Sequence, residues 1–180
     1  MNKAAVLKEI IESRRSIFPK DYSGEKIEEE VLKEILNSAN FAPNHKKTKP
    51  WRFQVFRNEK KLELSNKLAE IYKTTTRPEV FLEKKYLDIT HKISNTDTLI
   101  TISVNFSGMV PEWEEIAATA MAVENMYLTC TVHQIGCYWS TPGMIQHLGE
   151  FLNLEENQKM HRFVLFGENK NRLSFSQKLY

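Results

Sequence analysis

The chain has 180 residues, a length that suits one domain with its own hydrophobic core and no need of disulfides or metal. Hydrophobic residues make up 41% and charged residues 27%, a balance expected of a soluble globular protein. The formal net charge is only +2, and Lys26 and Lys33 sit among Glu28, Glu29 and Glu30; no single-sign field points to nucleic acid.

Lys3 to Ser13 is expected to be a short helix, with Val6, Leu7, Ile10 and Ile11 on one face. The turn Asp21-Tyr22-Ser23-Gly24 leads into a second helix over 25–40, whose Ile27, Val31, Leu32, Ile35, Leu36 and Ala39 keep helical spacing. A polar loop from Pro43 to Pro50 follows, then a strand over Trp51–Phe56 with one buried face. Asn58 can cap a third helix carrying Leu62, Leu64, Leu68 and Ile71, and a weaker pattern over 73–96 predicts another. Thr98–Val104 is β-branched and apolar, as a central strand should be.

The longest helix is expected from Pro111 to His133. Apolar and small residues surround most of its girth, which places it at the centre of a domain or between subunits. Gly136 ends that segment, Cys137-Tyr138-Trp139 reads as a short strand, 144–152 as a helix, and His161–Phe166 as the last strand. Residues 167–180 carry no core pattern. The order of elements predicts an α+β domain spanning 1–180. Cys130 and Cys137 lack metal-ligand spacing and read as buried, reduced thiols. The first residues lack the apolar run of a signal peptide, and no stretch has the roughly 18 apolar residues of a membrane span, so cytoplasm is the expected location.

Most chemistry-bearing motifs are absent, including the glycine-rich dinucleotide and phosphate loops and the serine elbow. Three segments remain. Arg14-Arg15-Ser16 ends the first helix; its guanidinium forks could clamp a phosphate, or they could complement the helix dipole. In Phe41-Ala42-Pro43-Asn44-His45-Lys46-Lys47-Thr48-Lys49-Pro50-Trp51, Asn44 and His45 could bond a flat heterocycle, or the loop could be a solvated basic turn. Trp139-Ser140-Thr141-Pro142-Gly143 could line a ring or simply close a loop.

Taken together, in this order and spacing, the three segments resemble the nitroreductase family of FMN enzymes. Arg14-Arg15-Ser16 matches that family's phosphate-binding signature. Ala42 to Phe53 matches its Ala-Pro-(Ser/Asp)-x-x-Asn-x-Gln-Pro-Trp-Arg-Phe loop, and Asn125–Cys130 followed by Ile135–Trp139 matches its central helix and the strand after it. The match covers residues 5 to about 172 and is nearest to the minimal, single-domain members.

The resemblance implies a central antiparallel or mixed sheet flanked by helices, in an intertwined homodimer with FMN at the subunit interface. It assigns Arg14, Arg15 and Ser16 to the FMN phosphate and ribityl chain, with Lys170 or Arg172 completing the phosphate site. Phe41, Pro43, Asn44 and His45 would come from the partner subunit to pack near the isoalloxazine, while Trp139, Ser140 and Thr141 would line its other side. The tail over 168–180 would contact the partner. The implied reaction is ping-pong hydride transfer from NADH or NADPH through flavin N5 to a nitroaromatic, quinone or similar acceptor, with no catalytic side chain and no metal. A flavin-binding or storage dimer without turnover, or a member specialised for another flavin redox reaction, shares the same motifs.

Some positions depart from the family pattern. Phe18 stands where a basic residue is common, and Lys20 or a lysine of the 46–49 loop is a candidate replacement. Lys47 and Lys49 replace Asn and Gln in the loop, and Gln134 replaces the first glycine of a Gly-Leu-Gly run.

Overall fold

The computed structural model describes residues 2–170, with the side chains of 160–163 left aside. Lys3–Ser13 forms helix α1, started by the Asn2 side chain, which accepts the Ala4 N–H at 3.0 Å. It contributes no buried residue, and Leu7 and Ile11 lie exposed. The second helix, α2, runs from Glu29 to Ser38, later than the expected start at residue 25. Residues before it are extended because Ile27 is held elsewhere: its side chain is buried, and its carbonyl accepts Arg57 Nη2 at 2.8 Å. The same guanidinium pairs with Asp97 and Glu29, both at 2.9 Å.

Strand β1 is Trp51–Phe56, and helix α3 is Asn58–Thr75. Asn58 does not cap α3 as expected; it is the first helical residue, at a φ of 51°, and no side chain caps the end. The weak 73–96 pattern resolves into the end of α3, a 3₁₀ turn at Pro78–Val80, and helix α4 over Glu83–Ser94. Pro78 explains the interruption, since it lacks the N–H a continuing helix needs. Strand β2, Thr98–Asn105, is buried along nearly its whole length, and helix α5 spans Glu112–Val132. Strand β3 is Ile135–Ser140 and strand β4 is Gln158–Glu168, longer than its apolar stretch suggested. The helix expected near 144–152 is only a 3₁₀ turn at Gly143–His147. Its glycines, Gly143 and Gly149, bound too short a segment to propagate an α-helix. No helix among the described residues is long and apolar enough to cross a membrane.

The four strands among the described residues form one sheet in the order β1-β2-β4-β3, with every pair antiparallel. Ile100, Ile102, Cys137, Val164 and Phe166 pack one face against α2 and α5. Leu99, Phe56 and Leu165 pack the other against α3, α4 and the 3₁₀ turn. The fold is therefore α+β with helices on both faces, as expected.

β3 is an edge strand, and what covers its edge decides where Arg14–Ser16 lie. The Ile17 N–H donates to the Cys137 carbonyl at 3.0 Å, and Tyr22 bridges to Asn169. Gly136 and Gly167 are directly paired across β3 and β4, and the Tyr22 ring lies flat on them. Its hydroxyl donates to the Leu165 carbonyl at 2.8 Å. Two glycines side by side thus leave a slot that fixes the segment following α1.

α5 ends with Gln134 at a φ of 58°, the left-handed position that glycine takes at helix ends. This is where the resembling family has its first glycine. Gln134→Gly is accordingly expected to raise unfolding free energy by about 1 kcal/mol, the cost of a side chain in that region, as read from urea denaturation.

Candidate functional site

The C-terminal end of α1 delivers Arg14 and Arg15 beside the C-terminal half of α5. Arg15 is exposed, and its Nη1 donates to the carbonyls of Glu12 and Arg14 at 2.7 and 2.8 Å. It therefore completes the helix end, the dipole reading of this motif. Arg14 differs. Its guanidinium carbon lies 5.3 Å from the centre of the Tyr127 ring, and its ion pair with Glu124 is long, at 3.8 Å. A cation over an aromatic face with one loose ion pair keeps donors for an anion.

Tyr127 joins the first and third predicted segments. Its hydroxyl accepts the Trp139 N–H at 2.7 Å, while its ring lies under the Arg14 guanidinium. Burial raises the Tyr127 pKa, with the neighbouring Cys137 thiol adding to the effect. Cys130 and Cys137 are both free and buried, as expected, and burial pushes the Cys137 thiol up.

From Ser16 the chain passes Phe18, whose ring stacks on Tyr138 at 4.5 Å, and reaches Pro19 on the wall of a cleft of about 310 Å³. Ser140, Thr141, Pro142 and Gly143 form a second wall, and Leu68, Ile93, Leu99 and Leu165 give it an apolar floor. The third wall is α4, through Lys85, Asp88, Ile89 and Lys92. A concave, mostly apolar cleft with a few converging polar groups suits a flat organic ligand.

Strand alternation separates the predicted ring-lining residues. Tyr138 and Ser140 face the cleft, whereas Trp139 packs toward the opposite core, so the aromatic of this wall is Tyr138. Lys170 donates from Nζ to the Lys20 carbonyl at 3.0 Å, and its N–H donates to the Asp21 carbonyl, on the segment that carries the cluster. Arg172 lies outside the described residues.

The loop is elsewhere. Pro43, Asn44 and His45 edge a groove of about 360 Å³ with Trp113, Ala117 and Met121, at the N-terminal end of α5. His45 Nδ1 meets Glu114 at 2.6 Å, and Lys46 Nζ donates to the Met109 carbonyl at 2.9 Å. Asn44 stitches the loop internally, accepting the Lys49 N–H at 2.9 Å and donating to the Ala42 carbonyl at 3.1 Å. Lys46, Lys47 and Lys49 all have positive φ, so the two lysines that replace the family's Asn and Gln sit in left-handed backbone. Trp51 anchors the loop in the core, at 6% exposure. Glu114 and Tyr127 are about 20 Å apart along α5 at 1.5 Å per residue. One chain therefore does not bring the loop and the arginines together. Phe41 beside the loop is 76% exposed, and Trp113, Met121 and Val132 also lie exposed on α5.

Lys85 and Lys92 are cleft residues that sequence reasoning missed. Lysines seven apart around Asp88 and Ile89 share one face of a helix, and that spacing was the available signal. Lys46, of the 46–49 loop, lies at the far end of α5, whereas Lys20 stays on the segment of Phe18 and its carbonyl accepts Lys170 Nζ.

Residues 11–168 match the sequence model of the Nitroreductase family. A relative from Bacillus subtilis (strain 168), provisionally named NAD(P)H nitroreductase YfhC, is 25% identical over 171 residues, covering 93% of this chain and 86% of its own. Among solved structures, a nitroreductase-like family protein from Bacillus cereus superposes with a TM-score of 0.75 at 22% identity, covering 91% of this chain and 85% of that one. The FMN-dependent nitroreductase NfnB from Mycobacterium smegmatis, solved with NADPH, also gives 0.75, at 13% identity, over 97% of this chain and 92% of that one.

Proposed function

Because the chain belongs to the nitroreductase family, we propose that it is a homodimeric, FMN-dependent oxidoreductase that carries electrons from NADH or NADPH to a nitroaromatic, quinone or similar acceptor. The observation that carries this reading is Arg14 held over the Tyr127 ring on a segment that runs on through Phe18, stacked on Tyr138, to Pro19 in a cleft with aromatic, hydroxyl and lysine walls.

The residues fit the cofactor. Arg14 and the exposed Ser16 would hold the phosphate, joined by Arg15, whose bonds to main-chain carbonyls are exchangeable at the surface, and by Lys170 from the end of β4. The ring would enter the cleft against Tyr138, Ser140 and Thr141. The bound flavin supplies the two-electron chemistry. Lys85 and Lys92 place positive charge along one wall, which favours an electron-rich ring, and the apolar floor limits water at the ring.

The second copy is argued from α5. Its exposed Trp113 and Met121, with Phe41 and the outward Leu7 and Ile11 of α1, are large apolar side chains that a partner copy would cover. A two-fold pairing that covers this surface would bring the Pro43–His45 loop of one protomer to the arginines of the other, which the separation of about 20 Å within a chain supports.

The purified protein is expected to be yellow, or to become so with added FMN. Anaerobic NADH or NADPH should bleach it, and a quinone should restore the colour. A colourless protein that ignores FMN overturns the reading; a yellow one that neither reductant bleaches favours a flavin carrier without turnover.

A further inference from the structure

Among the described residues, every charged side chain that lines the cleft of about 310 Å³ comes from one element, α4, and two of the three are cations. We propose that Lys85 and Lys92 make this cleft selective for acceptors that carry an acidic group at the edge of a flat ring, an aromatic carboxylate being the simplest; this rests on the FMN reading above.

Lys85, Asp88, Ile89 and Lys92 are three, four and seven residues apart along α4 and so share one face. The adjoining stripe of Tyr86, Ile89 and Ile93 packs into the core and holds that face to the cleft. The start of the helix is fastened as well. The Leu82 N–H donates to the Tyr72 hydroxyl at 3.1 Å, and the Phe81 ring lies 5.3 Å from that of Tyr72. Lys85 Nζ lies 5.4 Å from the centre of the same Tyr72 ring. Among the described residues, none of Lys85, Asp88 and Lys92 forms an ion pair. An aromatic face steadies a cation without neutralising it, so Lys85 keeps its charge and its donors for a ligand. Lys92 stands in the last turn of α4, where a cation also suits the helix dipole. Lys85 stands in the first turn, where the dipole opposes it, so helix stability does not account for that lysine.

The other residues lining the cleft are uncharged. Both lysines are exposed although they line an apolar cleft, the disposition in which the stem covers the floor and the ammonium stays in water at the rim. The acidic group of a ligand would therefore lie at the mouth while its ring lies on the apolar floor. Asp88, between the two lysines, works against such an anion, so removing its charge should help binding. For a nitrobenzoate, one hydride from NADH or NADPH and one proton from solvent break one N–O bond, and the nitroso acid and water leave.

The test titrates the FMN-loaded, oxidised full-length protein, with no reductant present, against 4-nitrobenzoate and its neutral isostere 4-nitrobenzamide by calorimetry. The wild type should bind the carboxylate more tightly, and added salt should shrink that preference. Lys85→Gln with Lys92→Gln is expected to weaken the carboxylate about tenfold and the amide less than about twofold, the scale of two exposed charge pairs. Lys85→Gln alone should account for the larger part. Asp88→Asn should act in the opposite sense and tighten the carboxylate about twofold. Equal wild-type affinity for the two ligands, equal weakening of both by the lysine variants, or looser carboxylate binding in Asp88→Asn would each overturn the proposal. So would lysine variants that lose NADP+ affinity but keep that for 4-nitrobenzoate, which would assign the cations to the dinucleotide, or that release FMN, which would place its phosphate at α4. If the wild type takes up no FMN, the flavin reading itself fails. If it is yellow and bleached by NADH yet shows no preference for the carboxylate, only the role of Lys85 and Lys92 fails.

Discussion

Replacing Arg14 and Arg15 together with alanine is expected to weaken FMN binding by at least about a hundredfold, since each charge-assisted hydrogen bond to a phosphate contributes about 1.5–3 kcal/mol. Arg14 should account for most of the loss. It is the half-buried partner of Tyr127, with only a 3.8 Å ion pair to give up, whereas Arg15 already serves the carbonyls at the end of α1. Arg15→Ala alone should cost less affinity and fray the last turn of α1. Riboflavin binding should hardly change, because the cleft that takes the ring is built from other residues. Titration of both flavins against the wild type and the three variants checks this, and a double variant with wild-type FMN affinity would remove the phosphate site from this end of α1.

The largest effect on stability is expected at Gly167. A Cβ there would stand 2.3 Å from Tyr22 Cδ2, 2.5 Å from its Cγ and 2.9 Å from its Cβ. The last of these distances means that rotating the ring does not relieve the clash; the Tyr22 backbone must move as well. Overpacking of this kind costs about 3 kcal/mol or more, so Gly167→Ala should lose that much in guanidinium denaturation. Gly136→Ala, where the nearest atom is Tyr22 Cε1 at 2.5 Å, should cost somewhat less because the far edge of the ring can tilt. Flavin affinity should fall in both variants, since Tyr22 holds the segment that presents Arg14 and Ser16. A Gly167→Ala protein as stable as the wild type would show that Tyr22 is not held in this slot.

How much of this was legible in the sequence depended on the range of the forces involved. β2 and α5 were readable because their apolar runs report burial directly: Ile100 and Ile102 lie at the sheet centre, and Ala122, Val123 and Met126 lie beneath it. The start of α2 was misplaced because Ile27 has helical spacing but is held by Arg57, a contact thirty residues away. The 144–152 segment has apolar residues at helical intervals, yet Met144, Leu148 and Leu152 reach the core from turns.

The same distinction holds for the site. Arg14-Arg15-Ser16 and the loop announced themselves as motifs, because local sequence makes them. Tyr127 did not, since nothing in its local sequence sets it apart; only the fold brings it to Arg14 and Trp139. The slot for Tyr22 also depends on register, as Gly136 and Gly167 become neighbours only when β3 and β4 pair. That Tyr138 faces the cleft and Trp139 the other side of the sheet is a matter of strand phase, which a short apolar segment does not define.

The composite site is tested most directly by mixing two defective proteins. One carries Arg14→Ala with Arg15→Ala; the other carries Asn44→Ala with His45→Ala, and each alone should bind little FMN. If every site takes its arginines from one protomer and its loop from the other, subunit exchange creates heterodimers with one intact site in two. The mixture should then recover about one quarter of wild-type FMN per chain, the statistical yield for a two-fold dimer. Exchanged heterodimers that recover no flavin, or a flavin-bound species with the 21.1 kDa mass of one chain, would contradict a site shared between two copies.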